Sequence, residues 1–356
     1  MAMDPVATTN QASKHEHMKE GDRERFKNAL KQLHGMAEVE TLMRSRLVAE
    51  APLLVEISEY LRSLGGKRMR PALCLLIYKL LGSTRGELPE DLVDVAAGIE
   101  LIHMATLLHD DIIDNSPLRR HKDSPLLKYG GASTLLTGDF LLVRAFALCS
   151  RLDSEIIAAT EKACVELTEG EILETPLWKE PHSRQSSLLI AEKKTAALFW
   201  LASFSAAHIA CGDVVISQHF RDFGRNLGIA FQVLDDVLDV LSNEETLGKQ
   251  PGTDIRERKP SIVNILWMLS DSPLSERVCQ KPIPAEEDSF VESALQELRS
   301  SKVIDEARAI AQHYASEAKV SLRAGVEAAR SHGCVIDEAT LLSLESLVAY
   351  TLQRLM

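Results

Sequence analysis

The sequence has few aromatic residues and no long apolar run. Phe, Trp and Tyr make up 5% of its 356 residues, and it lacks an uninterrupted apolar stretch of the roughly 18 residues that a membrane-spanning helix needs. The closest candidate, residues 196–211, is interrupted by Ser203, Ser205 and His208. We interpret it as a buried helix and expect no membrane span.

Positive charge is outnumbered, with 40 Lys and Arg residues against 52 Asp and Glu residues. The formal net charge is -12, whereas a protein that binds a phosphate backbone needs a concentrated basic surface. We therefore expect no nucleic-acid partner. The first 24 residues are polar and lack the apolar segment of a secretory signal. We expect residues 1–24 to be a disordered or vector-derived tail, with Met18 a candidate native start, and residues 25–356 to form one domain.

Closely spaced cysteines are absent. No two of the six form a CxxC pair, and most lie in apolar helical patterns, so neither a zinc site nor a disulfide framework is indicated. The pattern predicts free, buried thiols in a reducing compartment, and we expect a cytoplasmic protein. The six are Cys74, Cys149, Cys164, Cys211, Cys279 and Cys334.

Strand and hairpin signals are missing as well. From about residue 24 onward, apolar residues recur at three- and four-residue spacing, and no Asn-Gly or Asp-Gly pair separates alternating runs. The sequence predicts an all-α fold, a single domain of about ten or more helices. Gly, Pro and polar clusters predict breaks at 64–66, 82–89, 115–125, 130–131, 175–182, 248–259 and 271–288.

One short motif occurs twice, as LLHDDIID and as VLDDVLDV. Each copy places three carboxylates in an apolar helical run, with the first and last one turn apart on the same face. Like charges at this spacing destabilise a helix and Asp is a mediocre helix former, so stability alone does not explain the repetition. The first Asp cluster is Asp110, Asp111 and Asp114, and the second Asp cluster is Asp235, Asp236 and Asp239.

Magnesium is the cation that suits the two Asp clusters. It prefers carboxylate oxygens in octahedral geometry and keeps positions for water and substrate phosphate, so a diphosphate would complete its coordination. One alternative is a solvated acidic helix face, which fits a single cluster better than two with apolar flanks. Another is a helical di-iron site, because Glu100 and His103 form an ExxH pair. That site needs two such pairs, and we find one.

Four groups of cations accompany the Asp clusters. The first follows Gly65 and Gly66 at a predicted helix start, where backbone amides and basic side chains can cradle a diphosphate. Each group alone could be a solvated basic face, but every group follows a turn signal near the predicted mouth of the bundle. The groups are Lys67 to Arg70, Arg119 to Lys122, Lys193 with Lys194, and Lys249 to Lys259.

With these residues in place, the chain resembles a trans-type polyprenyl diphosphate synthase over roughly residues 25–356, and is most similar to the long-chain members. The resemblance implies the isoprenoid synthase fold, an all-α bundle with a central cavity, in a homodimer. It also implies a prenyltransferase that joins isopentenyl diphosphate to an allylic diphosphate with three magnesium ions. The motifs that agree in order and spacing are GGKRMRP, ELIHMATLLHDDIID, LRR, LTGDFLL, KKTAALF, FQVLDDVLD and LGKQPGTDIRERK.

The resemblance also implies roles for individual residues in catalysis, substrate binding and metal binding. The residues expected to be catalytic are Asp110, Asp111, Asp114, Lys194, Thr195 and Gln232. The six carboxylates of the two Asp clusters would hold the magnesium ions. Isopentenyl diphosphate would be bound by Lys67, Arg70, His103 and Arg120. The allylic diphosphate would be held by Arg119, Lys194, Lys249 and Lys259. The reacting centre would be lined by Thr195 and Gln232.

The chain departs from the family pattern outside the Asp clusters. Glu171 stands where many members have Gln, and His121 replaces the Gly that usually follows the Arg pair. Close to Lys259, the usual Gly, Thr and Pro are replaced by Arg258, Ser261 and Val263. The resemblance therefore constrains the loop that contains Lys259 less than it constrains the metal ligands.

The implied chemistry is electrophilic alkylation. Magnesium and the cations stabilise the departing diphosphate as the allylic C–O bond breaks, and the isopentenyl double bond attacks the resulting carbocation. The released diphosphate accepts a proton, and water must be excluded because it would quench the cation. Class I terpene cyclases usually carry an Asn-Ser-Glu type second motif, and regulatory subunits of prenyl synthases tend to lack Asp or Arg residues, so both alternatives fit less well.

The length of the product depends on the helix before the first Asp cluster. Short-chain members usually place a bulky residue about one turn before the cluster, whereas this chain has Ala105. Since each turn rises about 5.4 Å, small residues at successive turns predict a deep tunnel and a product of about C30–C50. The alternative is a short-chain synthase of the geranylgeranyl or farnesyl type. The residues expected to face the tunnel are Thr106, Ala105, Ile102 and Gly98.

Replacing Ala105 with Phe tests the tunnel. The ring would form a floor one turn before the first Asp cluster, so the product should become shorter by about one or more five-carbon units, with Ala105→Val giving a smaller change. Chromatography of the dephosphorylated products measures the distribution. An identical distribution in all three proteins would contradict the tunnel.

Overall fold

Apolar residues at three- and four-residue spacing form helices along most of the chain. The computed structural model describes residues 21, 24–31, 33–82, 87–242 and 250–353. This part is mostly helical, and its only strands are two of two residues each that form one short hairpin. The predicted all-α fold is therefore confirmed. The predicted tail, apart from residues 21 and 24, lies outside the described residues, as does Lys249.

The helices are numbered from the first complete one. Two helices of other types also occur: a π-helix at Ala191–Ala196 and a 3₁₀-helix at Ser275–Cys279. The α-helices are α1 Met36–Arg46, α2 Pro52–Ser63, α3 Met69–Leu80, α4 Glu90–Ile113, α5 Pro125–Tyr129, α6 Gly131–Cys149, α7 Ser154–Leu173, α8 Arg184–Ile190, α9 Ala197–Cys211, α10 Val214–Leu241, α11 Thr253–Arg256, α12 Ile262–Met268, α13 Glu287–Arg299, α14 Lys302–Ser331 and α15 Glu338–Gln353.

The core is built around α4, α9 and α10. Helix α10 packs along α9 and α14, and α4 packs along α6. Two glycines let α10 approach its neighbours closely: a Cβ at Gly224 would lie 2.4 Å from the carbonyl oxygen of Phe199, and one at Gly228 would lie 2.5 Å from Cα of Ala196. This contact holds the second Asp cluster, on α10, directly beside the π-helix.

Two helices, α4 and α6, are long and apolar enough to cross a membrane by length and composition alone. In α4, 72% of the apolar window is buried within the bundle, which identifies it as a core helix. Only 39% of the α6 window is buried, so α6 presents an apolar face that the described residues leave uncovered.

The predicted loop after the first Asp cluster contains a hairpin. Strands β1, Leu118–Arg119, and β2, Lys122–Asp123, pair antiparallel with Arg119 opposite Lys122. Its two turn residues, Arg120 (φ 54°) and His121 (φ 62°), are left-handed, as a two-residue type I′ turn requires. This conformation favours Gly, which explains why the usual residue at position 121 is Gly in the family pattern.

The predicted helix breaks agree with the structure wherever their residues are described, although α11 interrupts the break at 248–259 and a 3₁₀-helix interrupts the one at 271–288. Five breaks were not predicted: those between α1 and α2, α6 and α7, α9 and α10, α13 and α14, and α14 and α15. The break after α9 is at Gly212, whose φ of 65° ends the helix. The single domain over 25–356 stays a prediction, although Tyr314 and Leu352 each pack against both parts of the apolar core.

The prediction of buried thiols holds for two cysteines only. Cys74 and Cys149 are buried, Cys279 is exposed, and the other three are half-buried. Cys211 and Cys334 have their sulfur atoms 3.1 Å apart as free thiols. Apolar flanks did not predict exposure here because Cys279 lies in the 3₁₀-helix and Cys334 follows the last turn of α14.

Candidate active site

One cavity of about 790 Å³ brings together residues from both Asp clusters and from all four groups of cations. Its wall is formed by the start of α3, the end of α4, the hairpin, the π-helix, α10 and the segment that follows α11. The predicted site residues on this wall are Lys67, Arg70, His103, Thr106, Asp110, Asp114, Arg119, Arg120, Lys194, Thr195, Gln232, Asp235, Asp236, Asp239 and Lys259.

Asp111 is not on the cavity wall. Its side chain is fully buried and accepts hydrogen bonds on Oδ1 from Nε (2.9 Å) and Nη2 (2.6 Å) of Arg119. The structure therefore separates the first Asp cluster: Asp110 and Asp114 face the cavity, and Asp111 holds the Arg119 guanidinium beside it. The sequence could not show this, because Asp111 lies between the two in the same helical turn.

Burial has a large effect on Asp110. It raises the pKa of this carboxyl to about 7; Lys194 opposes the rise, and Glu171 and Asp114 add to it. A charged carboxylate in this position is poorly compensated by the protein alone. A divalent cation would provide the missing compensation.

The second Asp cluster is fixed by a hydrogen-bond network. Asp236 accepts from Nε2 of Gln232 (2.8 Å) and from the backbone N–H of Ile262 (2.9 Å). Burial raises the pKa of Asp236 well above its ordinary value, and Asp254 adds to the rise. Gln232 also accepts a short hydrogen bond from the Thr195 hydroxyl. Thr195, Gln232 and Asp236 thus form one chain of hydrogen bonds across the cavity wall.

Magnesium fits the donor chemistry of the Asp clusters. Their oxygens are hard ligands, and the carboxyls of Asp110, Asp114, Asp235, Asp236 and Asp239 lie on the cavity wall. Within the described residues, however, no three His, Cys, Asp or Glu side chains are close enough to form a preassembled metal site. The clusters therefore need oxygens from a bound ligand to complete a coordination sphere.

Two lysines of the cavity are each held between two carboxylates. Lys194, on the π-helix, lies 2.7 Å from Glu171 Oε2 and 2.6 Å from Glu174 Oε2. The Lys259 ammonium lies 3.0 Å from both Asp114 Oδ2 and Glu257 Oε2. Burial lowers the pKa of Lys194, but Glu174, Asp110 and Glu171 together raise it above its ordinary value, so the side chain stays charged. An entering diphosphate must compete with these carboxylates.

The other end of the cavity contains the predicted isopentenyl diphosphate residues. Arg70 is half-buried, with its guanidinium carbon 5.1 Å from the centre of the Phe199 ring. Burial lowers the pKa of His103 well below its ordinary value, and Arg70 and Arg119 lower it further, so His103 is neutral at physiological pH. A neutral imidazole can hydrogen-bond to a ligand without adding charge.

Arg68 is a cavity residue to which the sequence assigned no role. It lies at φ 46° and donates to Glu40 (2.7 Å) and to Glu100 (2.8 Å). Glu100 therefore neutralises a cation in the isopentenyl region, and this pairing leaves the di-iron alternative without its Glu ligand. The i, i+3 spacing of Glu100 and His103 indicated that they share a helix face. The sequence did not show that Glu100 pairs with Arg68.

The family follows from the match of the sequence to known proteins. Residues 51–298 match the family model for polyprenyl synthetase. The chain belongs to the polyprenyl synthetase family. This membership confirms that the protein is a prenyltransferase, and the family acts on isoprenyl diphosphates with Mg²⁺.

Individual relatives agree with the family assignment. The chain is 35% identical over 229 residues to an octaprenyl diphosphate synthase of Haemophilus influenzae, covering 64% of this chain and 68% of the relative. It is 33% identical over 271 residues to an all-trans-nonaprenyl-diphosphate synthase of Rhodobacter capsulatus, covering 76% and 82%. The structure of a Caulobacter crescentus polyprenyl synthase, complexed with calcium and isoprenyl diphosphate, has a TM-score of 0.81 at 31% identity, covering 92% of this chain and 98% of that one.

Several residues on the wall of this polyprenyl synthetase cavity were not predicted. Glu174 follows Glu171 by three residues at the end of α7, a spacing that could have indicated a shared face. Phe199 and Phe231 come from apolar runs that look like core, and Asp254 looks like an ordinary turn residue. The unpredicted residues on the wall include Arg68, Glu100, Glu174, Phe199, Phe231 and Asp254.

The predicted tunnel is not open in this structure. Thr106 lies on the cavity wall, whereas Ala105 and Ile102 are fully buried and do not line the cavity. Gly98 packs against α6, since a Cβ there would lie 2.8 Å from Sγ of Cys149. The expectation of several turns of open depth is therefore wrong for this conformation, because neighbouring helices fill the space beside the small residues. Their effect on product length stays a prediction.

Asp110→Asn tests the charge environment of the site without magnesium. The folded-state pKa of about 7 lies above the ordinary 3.8. The contribution of Asp110 to stability is thus present at low pH and lost as pH rises through about 7. Because Asn cannot ionise, the variant should be more stable than the original protein by roughly 2–4 kcal/mol near pH 8, and this advantage should shrink toward pH 5.

Thermal unfolding in a chelator at several pH values measures this difference. Asp271→Asn, which removes an exposed carboxyl that does not line the cavity, is the control. A difference between Asp110→Asn and the original protein that does not change with pH would contradict the assignment.

Proposed function

We propose that this polyprenyl synthetase adds isopentenyl diphosphate units to an allylic diphosphate and releases a long-chain product of about C30–C50, the chain length considered above from the small residues before the first Asp cluster. The observation that supports this most strongly is the cavity wall, to which both carboxylate-rich helices, α4 and α10, contribute together with cations from all four basic groups. Such an arrangement suits two diphosphates held side by side.

The allylic diphosphate would lie between the two Asp clusters. Lys194 and Lys259 would exchange their carboxylate partners for phosphate oxygens, and Arg119 would be oriented toward them by Asp111. Magnesium, held by Asp110, Asp114 and the second Asp cluster, would provide Lewis-acid stabilisation of the leaving group. We propose three such ions, the number that the resemblance to the family implies.

The isopentenyl diphosphate would bind at the other end. Lys67, Arg70 and Arg120 would neutralise its phosphates, and neutral His103 would donate or accept a hydrogen bond. When the allylic C–O bond breaks, its electron pair leaves with the diphosphate, and the isopentenyl double bond forms the new C–C bond. The proton then lost from the adjacent carbon passes to the released diphosphate. Phe199 and Phe231 would keep water away from the cation.

The long-chain product is supported by the octaprenyl and nonaprenyl relatives and by the absence of a bulky residue at position 105. One observation favours the short-chain alternative, a geranylgeranyl or farnesyl type synthase. It is the tight packing of Gly98 against Cys149, which leaves the tunnel closed in this conformation. A long product therefore requires side chains of α4 and α6 to move apart as the tail grows.

An elongation assay tests the proposed function. With magnesium, isopentenyl diphosphate and farnesyl diphosphate, the protein should form products longer than the starter. Asp235→Ala should lower kcat/KM by about 10²–10³, because it removes a group that stabilises the leaving charge. Asp271→Asn should have normal activity. A protein that lengthens no allylic diphosphate would contradict the proposal, and products no longer than about C25 would support the short-chain alternative instead.

We also propose that the protein is a homodimer formed through α6 and α7. Large apolar side chains on these helices are exposed, including Val143 (63%), Phe146 (43%) and Val165 (50%). A groove of about 610 Å³ between α6 and α7 has an almost entirely apolar lining. A second copy of the same chain would bury this face against its own equivalent.

Light scattering tests the dimer. The protein should have twice the chain mass of 39.4 kDa, and the double variant Val143→Glu with Val165→Glu should have the mass of one chain because it places charges in the apolar face. Val320→Glu, on an exposed position of α14, is the control. A single-chain mass for the original protein, or binding of α6 to lipid vesicles in place of dimerisation, would contradict the proposal.

For localisation we propose the cytoplasm, in which the closely spaced thiols of Cys211 and Cys334 would stay reduced. A long apolar product would leave the enzyme by way of a lipid surface.

A further inference from the structure

The segment that follows α10 wraps closely around the second Asp cluster. The backbone N–H of Asp254 donates to Asp239 Oδ2 at 3.0 Å, and that of Ile262 donates to Asp236 Oδ2 at 2.9 Å. Between these two anchors the chain turns at Arg258 and directs the Lys259 ammonium to Asp114 on the opposite wall, at 3.0 Å. We call residues 250–261 the wrapping loop. The position of Lys259 therefore depends on how this loop is held.

Arg258 is the buried centre of the wrapping loop. Its relative exposure is 2%, and its guanidinium makes a two-pronged ion pair with Glu287, with Nη1 to Oε1 at 2.6 Å and Nη2 to Oε2 at 3.0 Å. Nη1 also donates to the carbonyl of Ile255 and Nε to that of Gln280. Arg258 thus connects the wrapping loop to residues 280–287, which lie outside the cavity.

The backbone of Arg258 makes a second connection. Its carbonyl accepts a hydrogen bond from the N–H of Leu177 at 2.8 Å. Leu177 follows Glu174, which holds Lys194. Arg258 therefore lies where three segments meet: one carries Lys259, and another carries Glu174, the carboxylate that pairs with Lys194.

The backbone conformation of Arg258 indicates that its side chain has a structural role beyond the turn. Its φ of 58° lies in the left-handed region, which glycine adopts more easily than any other residue. If this position served only to turn the backbone, glycine would be the better residue. The arginine instead keeps a strained backbone together with a buried ion pair, an arrangement that holds a structure rigidly when both partners are present.

We propose that Arg258 and Glu287 are positioning residues that fix the Lys259 ammonium in the allylic diphosphate region, so that residues 280–287 contribute to substrate affinity from outside the cavity. The proposal rests on the proposed function, in which Lys259 binds the allylic diphosphate. Neither Arg258 nor Glu287 lines the cavity, so their effect must pass through Lys259 and the wrapping loop.

Steady-state kinetics of four variants tests this role. Glu287→Gln, Arg258→Gly and the double variant remove the ion pair in three ways, and Glu286→Gln removes the exposed pair between the adjacent Glu286 and Arg277. The three pair variants should raise KM for the allylic diphosphate by roughly 5- to 20-fold, with KM for isopentenyl diphosphate changed by less than about twofold. The double variant should be no worse than the single variants, since all three break the same pair. Glu286→Gln should match the original protein.

Two further measurements separate positioning from a loss of folding. Glu287→Asp, which keeps the carboxylate, should restore most of the substrate affinity. Calorimetry with inorganic diphosphate and magnesium, on protein shown to be folded by circular dichroism, should show the same loss of affinity as KM in the pair variants. If the original protein binds magnesium diphosphate but lengthens no substrate, the proposed function fails, and this binding comparison still decides the positioning role.

Three results would overturn the proposal. One is normal affinity for both substrates in Arg258→Gly, because position 258 would then serve only the backbone turn. Another is an equal rise of both KM values. The third is a loss of activity that follows the folded fraction alone, with normal magnesium diphosphate affinity in the folded protein.

Discussion

The central constraint on this structure is the burial of carboxylates in an apolar helical bundle. Asp110, Asp236 and Asp111 are desolvated, and the helices that carry them cannot place them in water without exposing core residues. Burial of charge has a high free-energy cost unless it is compensated. The surrounding features follow from this: Arg119 pairs with Asp111, and Lys259 pairs with Asp114. The backbone N–H groups of Asp254 and Ile262 donate to the second Asp cluster. What the protein leaves uncompensated is suited to divalent cations and a diphosphate.

Much of the fold and of the site could be predicted because both depend on local patterns. Helical periodicity indicated the all-α fold, and Gly, Pro and polar clusters indicated most breaks. The repeated Asp motif and the basic groups after turn signals identified residues that do share one cavity wall, among them Asp110, Asp235, Lys67 and Lys259. These predictions succeeded because a motif on a helix fixes which side chains share a face, and turn signals place loops at the ends of helices.

The features that the sequence could not predict depend on contacts between distant segments. The pairing of Glu100 with Arg68 and the connection of Arg258 to Glu287 join residues far apart in the chain, and no local spacing signals them. Asp111 shares a helical turn with two cavity residues but points to Arg119. The tunnel prediction counted small residues on α4 without knowing that α6 fills the space beside Gly98. Two left-handed positions, at His121 and Arg258, also show that departures from a family glycine can keep the glycine conformation.

The most direct test of the account is a crystal structure with a diphosphate and manganese in place of magnesium, since anomalous scattering locates manganese unambiguously. The account predicts manganese ions between the two Asp clusters, within about 2.0–2.3 Å of oxygens from Asp110, Asp114 and Asp235 and of the diphosphate, with Lys194 and Lys259 moved onto phosphate oxygens. Manganese bound to only one Asp cluster, or a diphosphate bound outside the shared cavity, would contradict it.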